Sequence, residues 1–127
     1  MIRRLQTFAL AVVVAAFAAA APLRAADITG TWTAVFDTAI GQQSYTYEFT
    51  VKDSALTGKM KSNLGASDII DGKVTGDKVS FVEMFQFEGM EIRITYSGTI
   101  VSDDEIKFTR QVADFATEEL VAKRVKK

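Results

Sequence analysis

The sequence predicts an all-β protein, an eight-stranded antiparallel up-and-down barrel preceded by an N-terminal signal peptide. From Thr29 onward the apolar residues recur at every second position, the period of half-buried strands. The runs are separated by short segments of Gly, Asp, Ser and Asn, which are turn formers. Because these connections are too short for crossovers, strands adjacent in sequence are expected to pair antiparallel in space.

Taken in order, the strands are expected at 30–37, 44–52, 56–62, 67–74, 78–87, 90–100, 105–112 and 118–125. Lys52-Asp53-Ser54-Ala55 turns the second into the third and Thr75-Gly76-Asp77 the fourth into the fifth. Phe87-Glu88-Gly89 and Ser102-Asp103-Asp104 make the next two reversals. A meander leaves only its first and last strands as edges, and these can satisfy each other by closing into a barrel. A two-sheet sandwich is the competing arrangement.

The N-terminal residues follow another logic. Met1-Ile2-Arg3-Arg4 is basic, residues 5–21 are almost wholly apolar, and Pro22-Leu23-Arg24-Ala25-Ala26 ends in small residues. This is the layout of a cleaved secretory signal. The run is rich in Ala, carries Gln6 and Thr7 and stops at a proline, which makes it a poor match to the ~20 strongly apolar residues of a span. Residues 1–26 are therefore read as a signal peptide, 27–127 as one barrel domain, and the location as periplasmic or secreted. Residues 1–26 hold Arg3, Arg4 and Arg24 and no acid, so 12 of the 15 basic residues then face 16 acidic ones. A net acidic chain is a poor partner for nucleic acid.

The chain has no cysteine and no histidine. The fold must stand without disulfides, and the commonest general base and metal ligand is missing. Ser-His-Asp, Cys-His and histidine-bearing zinc sites are excluded. Asp103, Asp104 and Glu105 lack the alternating ligands and central Gly of a calcium loop. Catalysis would have to rest on carboxylates such as Asp68, Asp71, Asp77 and Glu83, whose spacing does not set them apart from turn and surface residues. No catalytic residue, metal or cofactor is assigned.

Alternation assigns the faces. Trp32, Ala34 and Phe36 point one way on the first strand; Tyr45, Tyr47, Phe49 and Val51 on the second and Met90, Ile92, Ile94 and Tyr96 on the sixth do the same. The opposite faces hold Thr31, Thr33, Thr46, Glu48, Thr50, Glu91, Arg93 and Thr95. A polar exterior argues against an outer-membrane barrel, which needs an apolar one. The expected interior also takes Phe81, Phe85, Phe108 and Met60, bulky enough to fill most of an eight-stranded barrel or to leave room for one small ligand. Two charges fall on the inner face, Glu83 beside Phe81 and Phe85, and Arg110 beside Phe108. Buried charges must pair, reach the mouth or meet a ligand. A bulge near Glu83 would turn it outward instead.

Asp27-Ile28-Thr29-Gly30-Thr31-Trp32 resembles the opening of calycin barrels, where Gly-x-Trp starts the first strand, and Thr29-Gly30-Thr31-Trp32 with Leu56-Thr57-Gly58 is similar to the avidins in particular. The resemblance to lipocalin-like barrels implies that Arg124 stacks on Trp32 and closes one end, with Gly30, Trp32 and Arg124 structural. Residues 28–125 also resemble small exported bacterial domains carrying an Ile-x-Asp-Gly-Lys-Val-x-Gly-Asp-x-Val-x-Phe hairpin, here residues 69–81, and an Ala-Lys-Arg end. Avidins line their site with several tryptophans, whereas Trp32 is the only one in this chain, so the likeness does not extend to biotin.

The expected function is binding of a small apolar or aromatic molecule inside the barrel, with Tyr45, Tyr47, Glu83, Tyr96, Phe108 and Arg110 as candidate contacts. The alternative is an accessory protein with a packed core that binds a partner through its surface, for example at residues 102–105 or at a long connection over 63–67.

Overall fold

A computed structural model describes residues 26–126. The expected signal peptide therefore lies outside the described residues but for Ala26. Nine strands follow one another: β1 (Gly30–Thr38), β2 (Gly41–Lys52), β3 (Ala55–Ser62), β4 (Gly65–Asp68), β5 (Ile70–Thr75), β6 (Lys78–Phe87), β7 (Met90–Ser102), β8 (Glu105–Val112) and β9 (Ala116–Arg124). Each pairs antiparallel with its neighbours, and β9 returns to β1 through Trp32–Arg124 and Thr33–Lys123. Both β4 and β5 pair with β3, so they share one place in the wall and the barrel is eight-stranded and closed. The sandwich alternative is thereby set aside.

The split of the expected 67–74 strand has a local cause. Between Ile70–Val82 and Lys73–Ser80 the β5 side holds one residue more than the β6 side, and Asp71 takes up the excess with φ of 53°. This bulge lets Ile69 and Val74, an odd number of positions apart, both face inward. The extra residue lies on β5, and β6 carries no bulge near Glu83 that would turn it outward. Register along β6 and β7 runs unbroken from Lys78–Thr99 to Phe87–Met90, and Glu83 stays inside, 2% exposed.

The turns are tighter than the sequence implied. Phe87 and Met90 are ladder partners, and Glu88 and Gly89 between them both have positive φ, the two-residue hairpin whose twist matches that of its strands. Gly65 pairs with Ser62, so the expected long connection over 63–67 is a two-residue turn, Asn63–Leu64, followed by strand. Likewise Thr38 pairs with Gly41, so β2 begins three residues before its expected start.

The interior is layered along the barrel axis. At the end holding the 53–54, 76–77 and 103–104 turns, the segment before β1 crosses the opening, with Ile28 buried beneath it and Ala26 N donating to Gly76 O at 3.2 Å. Trp32 is fully buried and its Nε1 donates to Ile28 O at 2.9 Å. Above it Tyr47, Phe49, Phe81, Tyr96 and Phe108 interlock, with the Phe81 and Tyr96 rings stacked at 4.3 Å between centroids. Phe108 has room because it faces Gly98, where an added Cβ would lie 2.4 Å from Phe108 Cδ1. Met90, expected inside, sits at the opposite end and is 57% exposed, since the wall ends there. Among the described residues no helix is long and apolar enough to cross a membrane.

Candidate functional site

The aromatic layer ends in a buried polar one. β8 alternates so that Ile106, Phe108 and Arg110 all face inward, and Arg110 is 4% exposed. Around it β2 contributes Tyr45, β6 Glu83, β7 Tyr96 and β9 Glu118. Arg110 Nε donates to Tyr96 Oη at 2.9 Å and Nη2 to Tyr45 Oη at 2.9 Å. Nη2 also reaches Glu83 Oε1 at 3.4 Å, and Nη1 donates to Glu118 Oε1. Glu83 accepts from both tyrosines, Tyr45 Oη at 2.8 Å and Tyr96 Oη at 3.1 Å. As Tyr96 gives its one proton to Glu83, Tyr47 is the donor in the 3.0 Å contact between Tyr47 and Tyr96 hydroxyls. The guanidinium is also held among the rings of Tyr45, Phe36 and Tyr96 at 5.2, 5.3 and 5.6 Å from their centroids.

Removal from water sets the protonation states here. Burial pushes the hydroxyl pKa of Tyr45 up, and the Glu83 charge adds to it. Tyr47 and Tyr96 are raised for the same first reason. Burial works against the charge on Arg110, but Tyr96, Tyr45, Glu83 and the bond to Glu118 outweigh it and hold its pKa above the usual value. The tyrosines are therefore neutral hydrogen-bond donors and Arg110 a fixed cation at any physiological pH.

Above this layer the barrel opens into a cavity of about 340 Å³. Ile40, Leu64, Phe85, Phe87, Met90, Ile92, Val112 and Phe115 form its walls and rim, and Gln43, Tyr45, Arg110 and Glu118 its floor. The turns at 39–40, 63–64, 88–89 and 113–115 surround the mouth, and Phe115 at the rim is 72% exposed. A second, smaller opening of about 80 Å³ lies in the wall between β4 and the end of β6, lined by Tyr45, Met60 and Glu83 among others. There β4 pairs only with β3, and β6 beyond Val82 pairs only with β7, so the ladder is interrupted.

The six candidate contacts separate into two groups. Tyr45 and Arg110 face the large cavity and Glu83 the small one. Tyr47, Tyr96 and Phe108 lie beneath, packed and at most 2% exposed, where they support the floor and line neither space. Between Tyr45, Tyr96, Phe108 and Arg110 the interior is filled at the Tyr96–Phe108 side and open at the Tyr45–Arg110 side. Sequence reasoning passed over Gln43 and Glu118. Glu118 shares the alternation of Leu120 and Ala122, so it was legible as an inward charge; Gln43 fell one residue outside the strand expected from Ser44.

Gly30, Trp32 and Arg124 come together at the other end. The Arg124 guanidinium lies 4.6 Å from the indole centroid. Its nitrogens donate to Asp103 O at 2.7 Å and Thr29 O at 2.9 Å. Gly30 has φ of 143° and a Cβ there would meet Arg124 Nη1 at 3.0 Å, which explains glycine at this position. Among the described residues no group of three His, Cys, Asp or Glu side chains is assembled to hold a metal ion. The chain matches no known protein family, no curated protein and no solved structure.

Proposed function

We propose that this protein is an exported calycin-like barrel that binds a small, largely apolar molecule in the mouth opposite Trp32 and Arg124. The observation that carries the reading is the cavity of about 340 Å³, walled by aliphatic and aromatic side chains over a small polar floor. Small-molecule sites have this make-up and start near ~300 Å³, and barrel mouths are among the places where they occur. Tyr45 and Arg110 are the contacts carried forward from the sequence, joined by Gln43 and Glu118. Tyr47, Glu83, Tyr96 and Phe108 act by holding those groups in place. Export rests on the basic, apolar and small-residue order of residues 1–26.

The packed aromatic layer below the floor fits a second reading, an accessory protein that uses its surface and holds no ligand. Titration of the intact secreted protein with the neutral fluorophore N-phenyl-1-naphthylamine separates the two. Saturable binding of one probe, blocked by filling the cavity with Val112→Trp, supports the binding role. Absence of saturable binding, together with no small molecule in the native mass spectrum of protein purified from its own host, would refute it.

A further inference from the structure

Resting on that reading, the floor specifies the kind of head group the cavity takes. We infer that the ligand carries a hydrogen-bond-donating, positively charged head, such as a primary ammonium, on an apolar tail, and that Gln43 and Glu118 receive it.

The first observation is an unpartnered acceptor. Gln43 is 5% exposed and lines the cavity, and its Oε1 is the one buried side-chain polar atom among the described residues with no hydrogen-bond partner. Buried acceptors are rarely left so, because burying one unpaired forfeits its hydration. A donor on a bound molecule would satisfy it.

The second is the charge balance beside it. Arg110 faces two carboxyl groups, Glu83 and Glu118, so the buried floor carries a formal excess of one negative charge. Four recorded hydrogen bonds from the guanidinium all end on protein oxygens, which leaves one of its five N–H groups for anything in the cavity. The hydroxyl proton of Tyr45 is given to Glu83. The free donors on the floor are that one guanidinium N–H and the Gln43 Nε2 amide, while Gln43 Oε1 and the Glu118 carboxylate remain as acceptors, so the excess charge decides which head is favoured. An acid entering tail-outward would bring its carboxylate against this excess charge; an ammonium would neutralise it. The aliphatic and aromatic walls above take the tail.

The test is isothermal titration of the intact protein with three probes of one chain length, octylammonium, octanol and octanoate, at neutral pH. Octylammonium is expected to bind at least ten-fold more tightly than octanoate, with octanol between them. In Glu118→Gln the ratio of octylammonium to octanoate affinity should fall at least ten-fold, a change of ratio that general loosening of the barrel would not produce. Octanoate binding as tightly as octylammonium would overturn the inference while leaving the binding role intact. No binding of any of the three, octanol included, would overturn both. The wild-type comparison alone decides the matter if Glu118→Gln does not fold.

Discussion

Arg124 and Trp32 are ladder partners across the seam where β9 meets β1, and the guanidinium of one lies over the indole of the other. One pair of side chains therefore both seals the barrel end and ties together the two strands farthest apart in sequence. That seam has only two paired positions, whereas β1 and β2 share nine.

Arg124→Met is expected to cost about 2 kcal/mol, combining a cation–π contact of roughly 0.5–2 kcal/mol with lost hydrogen bonds to Thr29 and Asp103 carbonyls. Arg124→Lys should fall between, since a lysine keeps the charge and loses the planar fork. Urea denaturation measures both. Equal stability of wild type and Arg124→Met would remove the pair from any account of closure.

Glu83 answers Tyr45, Tyr96 and Arg110 at once. Glu83→Leu takes the acceptor from two buried hydroxyls while Arg110 keeps Glu118, and leaving buried donors unsatisfied costs roughly 1–3 kcal/mol. Glu83→Gln keeps acceptor oxygen at the site and should lose clearly less. A leucine variant with an unchanged urea midpoint would show that the polar layer is not held through Glu83.

Gly98 is where the Phe108 ring lies against the β7 backbone, so Gly98→Ala overpacks the middle layer and should cost about 1–3 kcal/mol. Trimming the ring relieves the clash. In a double-mutant cycle, Gly98→Ala with Phe108→Leu should therefore lose less than the two single losses added together. Strict additivity would mean that the two positions do not meet.

The chain has three tyrosines, and all three are buried with raised pKa values. An unfolded tyrosine ionises near 10.0, while the folded ones stay protonated well beyond that. The sign follows by linkage: the neutral phenols contribute stability that is complete below about pH 10 and declines as pH rises above it, because the unfolded chain then releases protons the folded one keeps. Absorbance near 295 nm should show no tyrosinate in native protein at pH 10 and about half of the tyrosines ionised on unfolding at that pH. A tyrosine titrating in the native state at its ordinary pKa would contradict the buried network.

Much of this was legible along the chain. Alternation placed Trp32, Tyr45, Tyr47, Phe49, Phe81, Tyr96 and Phe108 inside because a strand with one buried face can hide its large side chains only at every second residue. It placed Glu83 and Arg110 inside by the same rule. Glu118 obeyed that rule unread, and Gln43 went unread because a polar residue near a turn looks like part of the turn until Thr38 is seen to pair with Gly41.

What the sequence determined by itself was periodicity: the strand succession, the inward faces and the turns that force a meander. What only the tertiary structure decided was depth along the barrel axis. Residues on one strand face the same interior whether they sit at its closed end, its middle or its mouth, and the pattern along the chain does not distinguish them. Position across strands does, because it depends on the stagger between neighbours and on a one-residue bulge at Asp71. That stagger buries Tyr96 and Phe108 in the packed layer, brings Glu118 level with Arg110, and leaves Gln43 with an unpaired oxygen at the floor of an open mouth.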